Sequence, residues 1–384
     1  MRTTRLLIIA VIILLYGIMN YYIGKRLWAL ASPLLSPGSP VLFWSFFWLV
    51  AFSYLAARVA GPYLPPRLAS ALVIVGSYWL AAMFYLFLLL GLGDTIRLIG
   101  SYAGFVSPSP SEAHLTTSVA LFMTLGIVGY GVWNAQNPRV TYHEVRIPKA
   151  SPELDKLRIV MVSDVHLGTI IGPKRLSHLV TTVNHLDPDL VLLPGDIVDD
   201  HPGPWPEHNV VELLSQLKTR YGTYAVLGNH EYIGGRVEET INLLEKAGIT
   251  VLCDDVVLVK NSFYLAGRNE KLARIMAGKT RLPLARILAG IDRSRPIILM
   301  DHQPIDLDEA LNEGVDLQVS GHTHLGQLFP NRFVTRRVYE VDWGYLRKDN
   351  LQVIVSCGFG TWGPPIRVGN HPEIVVINVR FGCN

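Results

Sequence analysis

Charge is scarce in this sequence. Only 17% of its 384 residues are charged, whereas 50% are hydrophobic, and this balance is too apolar for one ordinary soluble domain. The net charge is only +3, and no basic stretch interleaved with aromatic residues stands out, so we expect no nucleic-acid partner. Internal repeats and low-complexity tracts are missing too. The length leaves room for two domains, and one of them must carry the apolar excess.

Cysteine is also scarce. The three cysteines, Cys253, Cys357 and Cys383, lie far apart and form no Cys-x-x-Cys pair. An odd and sparse set argues against a disulfide framework and favours a reducing compartment.

Apolar sequence, by contrast, is abundant near the N-terminus. Four runs each approach the roughly 20 residues that a helix needs to cross the hydrocarbon core. The predicted transmembrane helices are residues 6–23, 41–57, 68–92 and 115–133. A signal peptide would explain only the first, which lacks a small-residue cleavage pattern, and buried core helices are the alternative for the others. The predicted domains are a transmembrane domain at 1–136, a linker at 137–156 and a second domain at 157–384.

The positive charges that flank these helices indicate their orientation. One side would hold Arg2, Arg5, Arg58, Arg67, Arg139, Arg146 and Lys149. The other side would hold Lys25, Arg26 and Arg97. Because the more positive side faces the cytoplasm, we expect a multi-pass protein of the cell (inner) membrane with its second domain in the cytoplasm.

From about residue 150, short apolar strands alternate with amphipathic helices, which predicts an α/β domain. Five polar clusters follow strands: Asp164-Val165-His166, Gly195-Asp196-Ile197-Val198-Asp199, Gly228-Asn229-His230-Glu231, His302 and Gly321-His322-Thr323-His324. Ligands of α/β sheets gather at the carboxyl ends of strands. Carboxylate, imidazole and amide groups together can hold two divalent ions. Asp196, on a tight loop that Gly195 permits, is the natural bridge between two such ions.

These clusters resemble the signature of the calcineurin-like metallophosphoesterase family, which runs D-x-H, G-D-x-x-D, G-N-H-[DE], a lone His and G-H-x-H. The resemblance extends from about residue 157 to the C-terminus. It implies an α/β fold in which two β-sheets pack face to face, flanked by helices. The tail from Gly358-Phe359-Gly360 through Arg367 to Pro372-Glu373 is similar to the ending of a bacterial branch that is often anchored in membranes.

The resemblance also implies roles for nine residues. The metal ligands would be Asp164, His166 and His324 for the first ion, Asn229, His302 and His322 for the second, and Asp196 between them. His230 would be the catalytic histidine and Asp199 would orient it. A hydroxide bridging the two ions would then attack phosphorus in line. Manganese or iron is expected, and zinc or nickel also suits an imidazole-rich site.

The predicted spans suggest the substrate. A hydrolase held at a bilayer meets lipid headgroups at high effective concentration, so we expect a phosphate mono- or diester of a phospholipid or a lipid-linked intermediate. An apolar lip could be formed by Trp205, Tyr232, Phe359 and Trp362, which could equally be packing residues. The basic stretch 268–295 could be a solvated face or could meet anionic headgroups.

Other functions stay open at this point. The chain could be a tethered phosphodiesterase acting on soluble nucleotides, or a sensor or transport module with a hydrolase as its output domain. The latter is disfavoured because the spans lack intramembrane charge. A noncatalytic binding module would require a damaged centre, yet the signature is complete.

Some residues depart from the signature or repeat part of it. Protein phosphatases of the family carry an Arg-Gly pair where this chain has Asp200 and His201, which puts protein phosphatase activity in doubt. The repeat Gly369-Asn370-His371 is expected to be a loop rather than a ligand set, and His201 and His208 are also expected in loops.

Overall fold

The computed structural model describes residues 2–34, 36, 39–105, 109–200, 203 and 205–382. The chain divides into two compact units. The first comprises Met1–Val132 with Gly363–Pro365, and the second comprises Trp133–Trp362 with Ile366–Asn384. The predictions for His201 and Cys383 lie outside the described residues.

Long helices dominate the first unit. They are α1 (Arg2–Ala31), α2 (Ser39–Ala60), α3 (Pro66–Tyr102) and α4 (Pro110–Gln136). All four are long and apolar enough to cross a membrane. They run beyond the predicted spans because helical backbone continues through polar residues such as Lys25 and Arg26, which hydropathy alone leaves out. A small core that includes Ile23, Phe47 and Leu90 packs them together, while many of their other large apolar side chains point outward.

Two six-stranded sheets form the second unit. The first sheet consists of β1 (Arg139–Ile147), β2 (Lys156–Met161), β3 (Leu190–Pro194), β4 (Thr223–Val226), β5 (Ile249–Val251) and β12 (Glu373–Phe381), in the order β1-β12-β2-β3-β4-β5. The second consists of β6 (Asp255–Val259), β7 (Phe263–Gly267), β8 (Ile297–Met300), β9 (Leu317–Ser320), β10 (Gly344–Lys348) and β11 (Leu351–Val355), in the order β10-β11-β9-β8-β7-β6.

The inner faces of these sheets form a shared core. Ile159 and Leu192 of the first sheet lie in one buried cluster with Leu265 and Leu317 of the second. The flanking helices are α5 (Pro173–His185), α6 (Glu207–Leu214), α7 (Asn229–Ile233), α8 (Val237–Lys246), α9 (Ala273–Ala277), α10 (Leu284–Ile287), α11 (Leu307–Asn312) and α12 (Arg332–Val338). The prediction of an α/β fold with two packed sheets is confirmed.

The predicted linker at 137–156 is wrong for the residues of β1. This strand pairs in parallel with β12 along its whole length, from Arg139 opposite Glu373 to Ile147 opposite Phe381. Val145 and Ile147 point into the core, and this alternation of buried and exposed residues is the period of a strand. The first sheet therefore begins before residue 157.

The polar clusters of the second unit follow parallel strands. β2, β3 and β4 are parallel neighbours in the first sheet, and β8 and β9 are parallel neighbours in the second. Their carboxyl ends lie at one edge of the packed sheets, so the loops that leave them can meet in space.

A candidate dinuclear metal centre

The loops after these five strands bring all nine predicted site residues together. Asp164 and His166 follow β2, Asp196 and Asp199 follow β3, Asn229 and His230 open α7 after β4, His302 follows β8, and His322 and His324 follow β9. Several of them have left-handed backbone, with φ of 53° at Asp164, 52° at Asp196 and 72° at His322. Such angles cost of order 1–3 kcal/mol for a residue other than glycine and persist where surrounding contacts impose them.

One group of ligand atoms belongs to Asp164, His166 and His324, which are all buried. The Nε2 atoms of the two histidines lie 3.1 Å apart, and His324 Nε2 lies 3.4 Å from Asp164 Oδ1. The carboxylate of Asp164 also accepts hydrogen bonds from the His322 backbone N–H at 3.0 and 3.1 Å. These contacts hold the loops after β2 and β9 against each other.

A second group consists of Asp196, His302 and His322, with Asn229 beside them. His302 Nε2 lies 3.2 Å from Asp196 Oδ2. Asn229 Oδ1 lies 3.1 Å from His302 Nε2 and 2.7 Å from His322 Nδ1. Asp196 Oδ2 is also 3.9 Å from His166 Nε2 in the first group. The carboxylate of Asp196 therefore stands between the two groups.

The donor atoms of both groups fit divalent cations. His302 Nδ1 donates its hydrogen to the Pro194 carbonyl at 2.9 Å, so the Nε2 lone pair of a neutral His302 faces the Asp196 carboxylate. Burial alone would lower the pKa of His302, but the adjacent charge and hydrogen bond of Asp196 raise it well above its usual range. The Asp196 carboxylate thus favours a positive charge at the point where these side chains converge. Imidazole, carboxylate and amide oxygen suit manganese, iron, zinc or nickel.

Glycines allow the ligand loops to approach closely. A Cβ at Gly195 would collide with the ring of His302, and a Cβ at Gly228 would collide with the carboxylate of Asp196. Gly195 also has a φ of +86°, which other residues adopt only with strain. Both positions of the sequence signature therefore have a steric reason to be glycine.

His230 and Asp199 form a pair beside the two groups. His230 Nδ1 donates to Asp199 Oδ1 at 2.9 Å, and the His230 backbone N–H donates to Asp196 Oδ1 at 2.8 Å. Burial would lower the pKa of His230, but its hydrogen bond with Asp199 and the charges of Asp196, Asp199 and Asp200 raise it to about 9. With Nδ1–H bonded to Asp199, the raised pKa favours the form of His230 that also carries a proton on Nε2.

His166, Asp199 and His230 are a third set of atoms close enough to share an ion. Asp199 Oδ1 lies 3.7 Å from His166 Nδ1 and 2.9 Å from His230 Nδ1. Because Asp199 Oδ1 already accepts the hydrogen bond of His230, we interpret this set as the orientation of a histidine rather than as a third metal position.

Glu231 is a site residue whose role we did not predict. Its buried carboxylate accepts hydrogen bonds from the backbone N–H groups of Asp196, Ile197, Val198 and Gly228, at 3.2, 2.7, 3.0 and 2.8 Å. It therefore holds the loop that carries Asp196. The signal was available, because an acidic residue ends the Gly-Asn-His-Glu motif, but nothing in the sequence shows which backbone groups it meets.

We expect Glu231→Gln to weaken metal binding. Glutamine has an amide NH₂ in place of one acceptor oxygen, so some of the four N–H groups lose their partner and the Asp196 loop shifts. Changes behind metal ligands typically cost about 10–100-fold in metal affinity or activity. Metal titration of the full chain should show the loss, and saturating metal should restore most of the turnover rate. Exposed Glu245→Gln on α8 is the matched control, and normal affinity in Glu231→Gln would contradict this role.

Arg367, which the sequence placed only in the tail, is a second residue whose role behind the site we did not predict. Its guanidinium is fully buried and lies 3.1 Å from His324 Nδ1, while it donates to the carbonyls of Gly358 and Gly360 at 3.0 and 3.1 Å. Asn370 Nδ2 donates to the His324 carbonyl at 2.7 Å. The tail segment thus holds His324 in place.

Asp301 directly precedes His302 and anchors its loop to two arginines. This buried carboxylate accepts hydrogen bonds from Arg281 at 2.5 and 3.1 Å, and Arg268 lies 3.8 Å from it. Two of the basic residues in the stretch 268–295 are therefore internal ion-pair partners. For these two residues, neither the solvated face nor the contact with headgroups considered for this stretch is right.

Two of the four residues considered for an apolar lip are buried, as the packing alternative expects. Tyr232 is buried and donates to Asn269 Oδ1 at 2.5 Å, and Phe359 is buried against the guanidinium of Arg175. Trp205 and Trp362, by contrast, are 41% and 48% exposed. The ring of Trp362 lies 6.3 Å from that of His230. A cavity of about 300 Å³ is lined by both His230 and Trp205.

The other histidines of interest lie away from the ligand groups. His371 Nδ1 lies 2.6 Å from Asn134 Oδ1, and His371 belongs to none of the described ligand groups. His208 is exposed on α6, so the expectation that it lies in a loop is wrong, because the helix begins one residue earlier at Glu207.

The fold and the site together define a metal-dependent phosphoric ester hydrolase. Residues 157–326 match the family model of the calcineurin-like phosphoesterases. The chain is 32% identical over 309 residues to a transmembrane protein with metallophosphoesterase domain from Danio rerio, over 78% of this chain and 70% of that protein. It is 30% identical over 389 residues to an uncharacterized metallophosphoesterase from Campylobacter jejuni, over 96% of this chain and 97% of that protein. The chain therefore belongs to the calcineurin-like metallophosphoesterase family.

A solved structure is also similar. The crystal structure of a dimetal phosphatase from Danio rerio is 14% identical in sequence and covers 53% of this chain and 88% of its own, with a TM-score of 0.31.

Proposed function

We propose that this chain is a membrane-embedded dinuclear-metal phosphoesterase that hydrolyses a phosphate mono- or diester of a phospholipid or lipid-linked intermediate. The observation that carries the hydrolase proposal is the meeting of two ligand groups at Asp196, with the His230–Asp199 pair beside them. The four long apolar helices support the lipid substrate, because they would keep the site at a bilayer.

Two divalent cations, with manganese or iron expected, would occupy this site. The proposed ligands are Asp164, His166 and His324 for one, Asn229, His302 and His322 for the other, and Asp196 for both. When bound, the cations supply Lewis-acid charge to the phosphoryl oxygens and lower the pKa of water.

The proposed role of His230 follows from its proton. Asp199 fixes Nδ1–H, so Nε2–H is free to donate to a phosphoryl oxygen or to the oxygen of the leaving group. Trp205 lines a cavity with His230, and the ring of Trp362 lies 6.3 Å from that of His230. Both would present apolar surface to the part of the substrate beyond the phosphate.

We expect the turnover rate to fall as pH rises through the pKa of His230, because the proton on Nε2 is then lost. That pKa is raised to about 9 without bound cations, and the charge of bound cations would lower it from this value by repulsion. Asp199→Asn removes a negative charge and replaces a charge-assisted hydrogen bond with a weaker neutral one. Both changes lower this pKa, so the alkaline limb should move to lower pH. Profiles of kcat against pH at saturating metal measure this shift. Exposed Asp187→Asn is the control, and a limb that stays in place in Asp199→Asn would contradict the pairing.

The proposed topology is multi-pass in the cell (inner) membrane, with the domain after α4 in the cytoplasm. The positive charges near the helix ends support this orientation. We propose a transmembrane domain that ends near residue 136 and a catalytic domain that includes β1 and continues to residue 384.

The substrate class is tested with purified full-length protein in mixed micelles. We expect kcat/KM to be higher for phospholipid and lipid-linked phosphates than for cyclic nucleotides. Equal or faster turnover of soluble nucleotides would overturn the lipid proposal and favour a tethered phosphodiesterase. The metal-dependent hydrolysis of bis(p-nitrophenyl) phosphate serves as the measure of an intact centre.

A further inference from the structure

Two short helices at the rim of the metal centre expose apolar and basic side chains together. On α12, Phe333, Val334 and Val338 are 58%, 62% and 66% exposed, and Arg336 and Arg337 lie among them, also exposed. On α9, Ile275 and Met276 are 69% and 49% exposed, next to exposed Arg274. Large apolar side chains exposed in a group mark a binding surface.

α12 is tied to the loop that carries the ligand histidines. Thr335 on its inner side donates to Asp342 Oδ2 at 2.7 Å. Thr323, which lies between His322 and His324, donates to the carbonyl of the same Asp342 at 2.5 Å. The ring of Tyr339, directly after the helix, lies 6.0 Å from that of His322. The exposed face of α12 is therefore fixed relative to the metal ligands.

α9 is tied to the other side of the centre. Its first residue, Ala273, is buried in one cluster with Tyr232 of α7 and Val237 of α8. Because α7 opens with Asn229 and His230, the exposed residues of α9 also keep a fixed position relative to the site.

We propose that α12 and α9 form a docking rim that rests on an anionic bilayer surface and brings the metal centre to the level of the headgroups. Apolar side chains with interspersed arginines are the composition of helices that lie in the interface. The arginines complement anionic headgroups and exclude a purely apolar partner. This inference rests on the proposed function and extends it, because the rim would bring the hydrolase to a lipid phosphate.

Depth measurements on the full-length protein test the rim. A spin label at Val334→Cys, in a Cys253→Ser and Cys383→Ser background, reports on α12. The control is Asn261→Cys at an exposed position in the turn before β7. This turn lies at the start of β7, whereas α9 follows the end of that strand. Both are compared in nanodiscs of phosphatidylcholine alone and with added phosphatidylglycerol, using oxygen as the apolar relaxant and chromium oxalate as the polar one.

The proposal predicts that the label at 334 gains oxygen accessibility and loses oxalate accessibility in the anionic discs, while the control stays in water. Arg336→Gln with Arg337→Gln should reverse much of this change, since each arginine near an anionic surface contributes roughly fivefold to membrane affinity. The proposal would be overturned if the label at 334 stayed as accessible to chromium oxalate as the control. Equal immersion of the label in uncharged discs would also overturn it. Spin–spin broadening would do the same, because it would show that α12 packs against a second copy of the chain.

Turnover separates the rim from the proposed function. Phe333→Ser with Val338→Ser should lower hydrolysis of a lipid phosphate in anionic discs by about tenfold while hydrolysis of bis(p-nitrophenyl) phosphate is kept. An equal loss on both compounds would overturn the rim as a docking device. If the unchanged protein hydrolysed neither compound while the label at 334 in the Val334→Cys variant was immersed, the hydrolase proposal would be contradicted and the docking rim supported.

Discussion

Asp196→Asn is expected to abolish hydrolysis by removing the residue that the two ligand groups share. Its Oδ2 lies 3.2 Å from His302 Nε2 and 3.9 Å from His166 Nε2, and its Oδ1 accepts from the His230 backbone. An amide carries no charge and offers one oxygen instead of two, so it cannot neutralise a pair of cations. The loss should exceed about 100-fold, because even changes behind the ligands cost 10–100-fold.

The measurement for Asp196→Asn is the hydrolysis of bis(p-nitrophenyl) phosphate together with the metal content of the same sample. Asp187→Asn makes the same chemical change at an exposed position and should alter neither quantity. Retention of two ions and of full activity in Asp196→Asn would contradict the bridging role.

His230→Ala is expected to slow turnover by about 10²–10⁴-fold, the usual contribution of a positioned proton donor. The metal content should stay normal, because His230 bonds to Asp199 rather than filling either proposed ligand set. The loss should be larger for an alkyl phosphate than for a p-nitrophenyl ester, since a good leaving group needs little protonation.

The matched control for His230→Ala is His208→Ala, an exposed histidine on α6. Both variants are compared with the unchanged protein at saturating metal, with each of the two substrate types. An equal loss for good and poor leaving groups would show that His230 acts on the phosphoryl group and not on the leaving oxygen. Loss of bound metal would show that it is a ligand.

Much of the site could be predicted because its members lie at strand exits. A buried strand followed by Asp164 and His166, or by Gly195 and Asp196, can be recognised in the sequence itself, and parallel strands place such exits at one edge. The family signature then supplied the roles, which stay predictions until the variants above are measured.

The structure revealed contacts between residues that lie far apart in the sequence. Glu231 meets backbone groups more than 30 positions upstream, and Arg367 meets a histidine 43 positions away. No local period or spacing indicates such pairs. Tyr232 and Phe359 lie beside motif residues, so the sequence left both a lip and core packing open for them. Neighbours in sequence can face opposite sides of the backbone, and the structure buries both.

The start of the second domain was placed too late for a related reason. β1 is a half-exposed edge strand of polar and β-branched residues, so its hydropathy resembles that of a linker. Its partner, β12, lies at the other end of the chain. Pairing across such a separation is visible only in the folded domain.

The central claim, a two-ion hydrolase, is tested most directly by adding Mn²⁺ to metal-free full-length protein and measuring bound metal and hydrolysis of bis(p-nitrophenyl) phosphate in the same samples. We predict that activity is absent without metal and rises as the second ion per chain binds. Hydrolysis that persists without bound metal, or that is complete with one ion per chain, would contradict the claim.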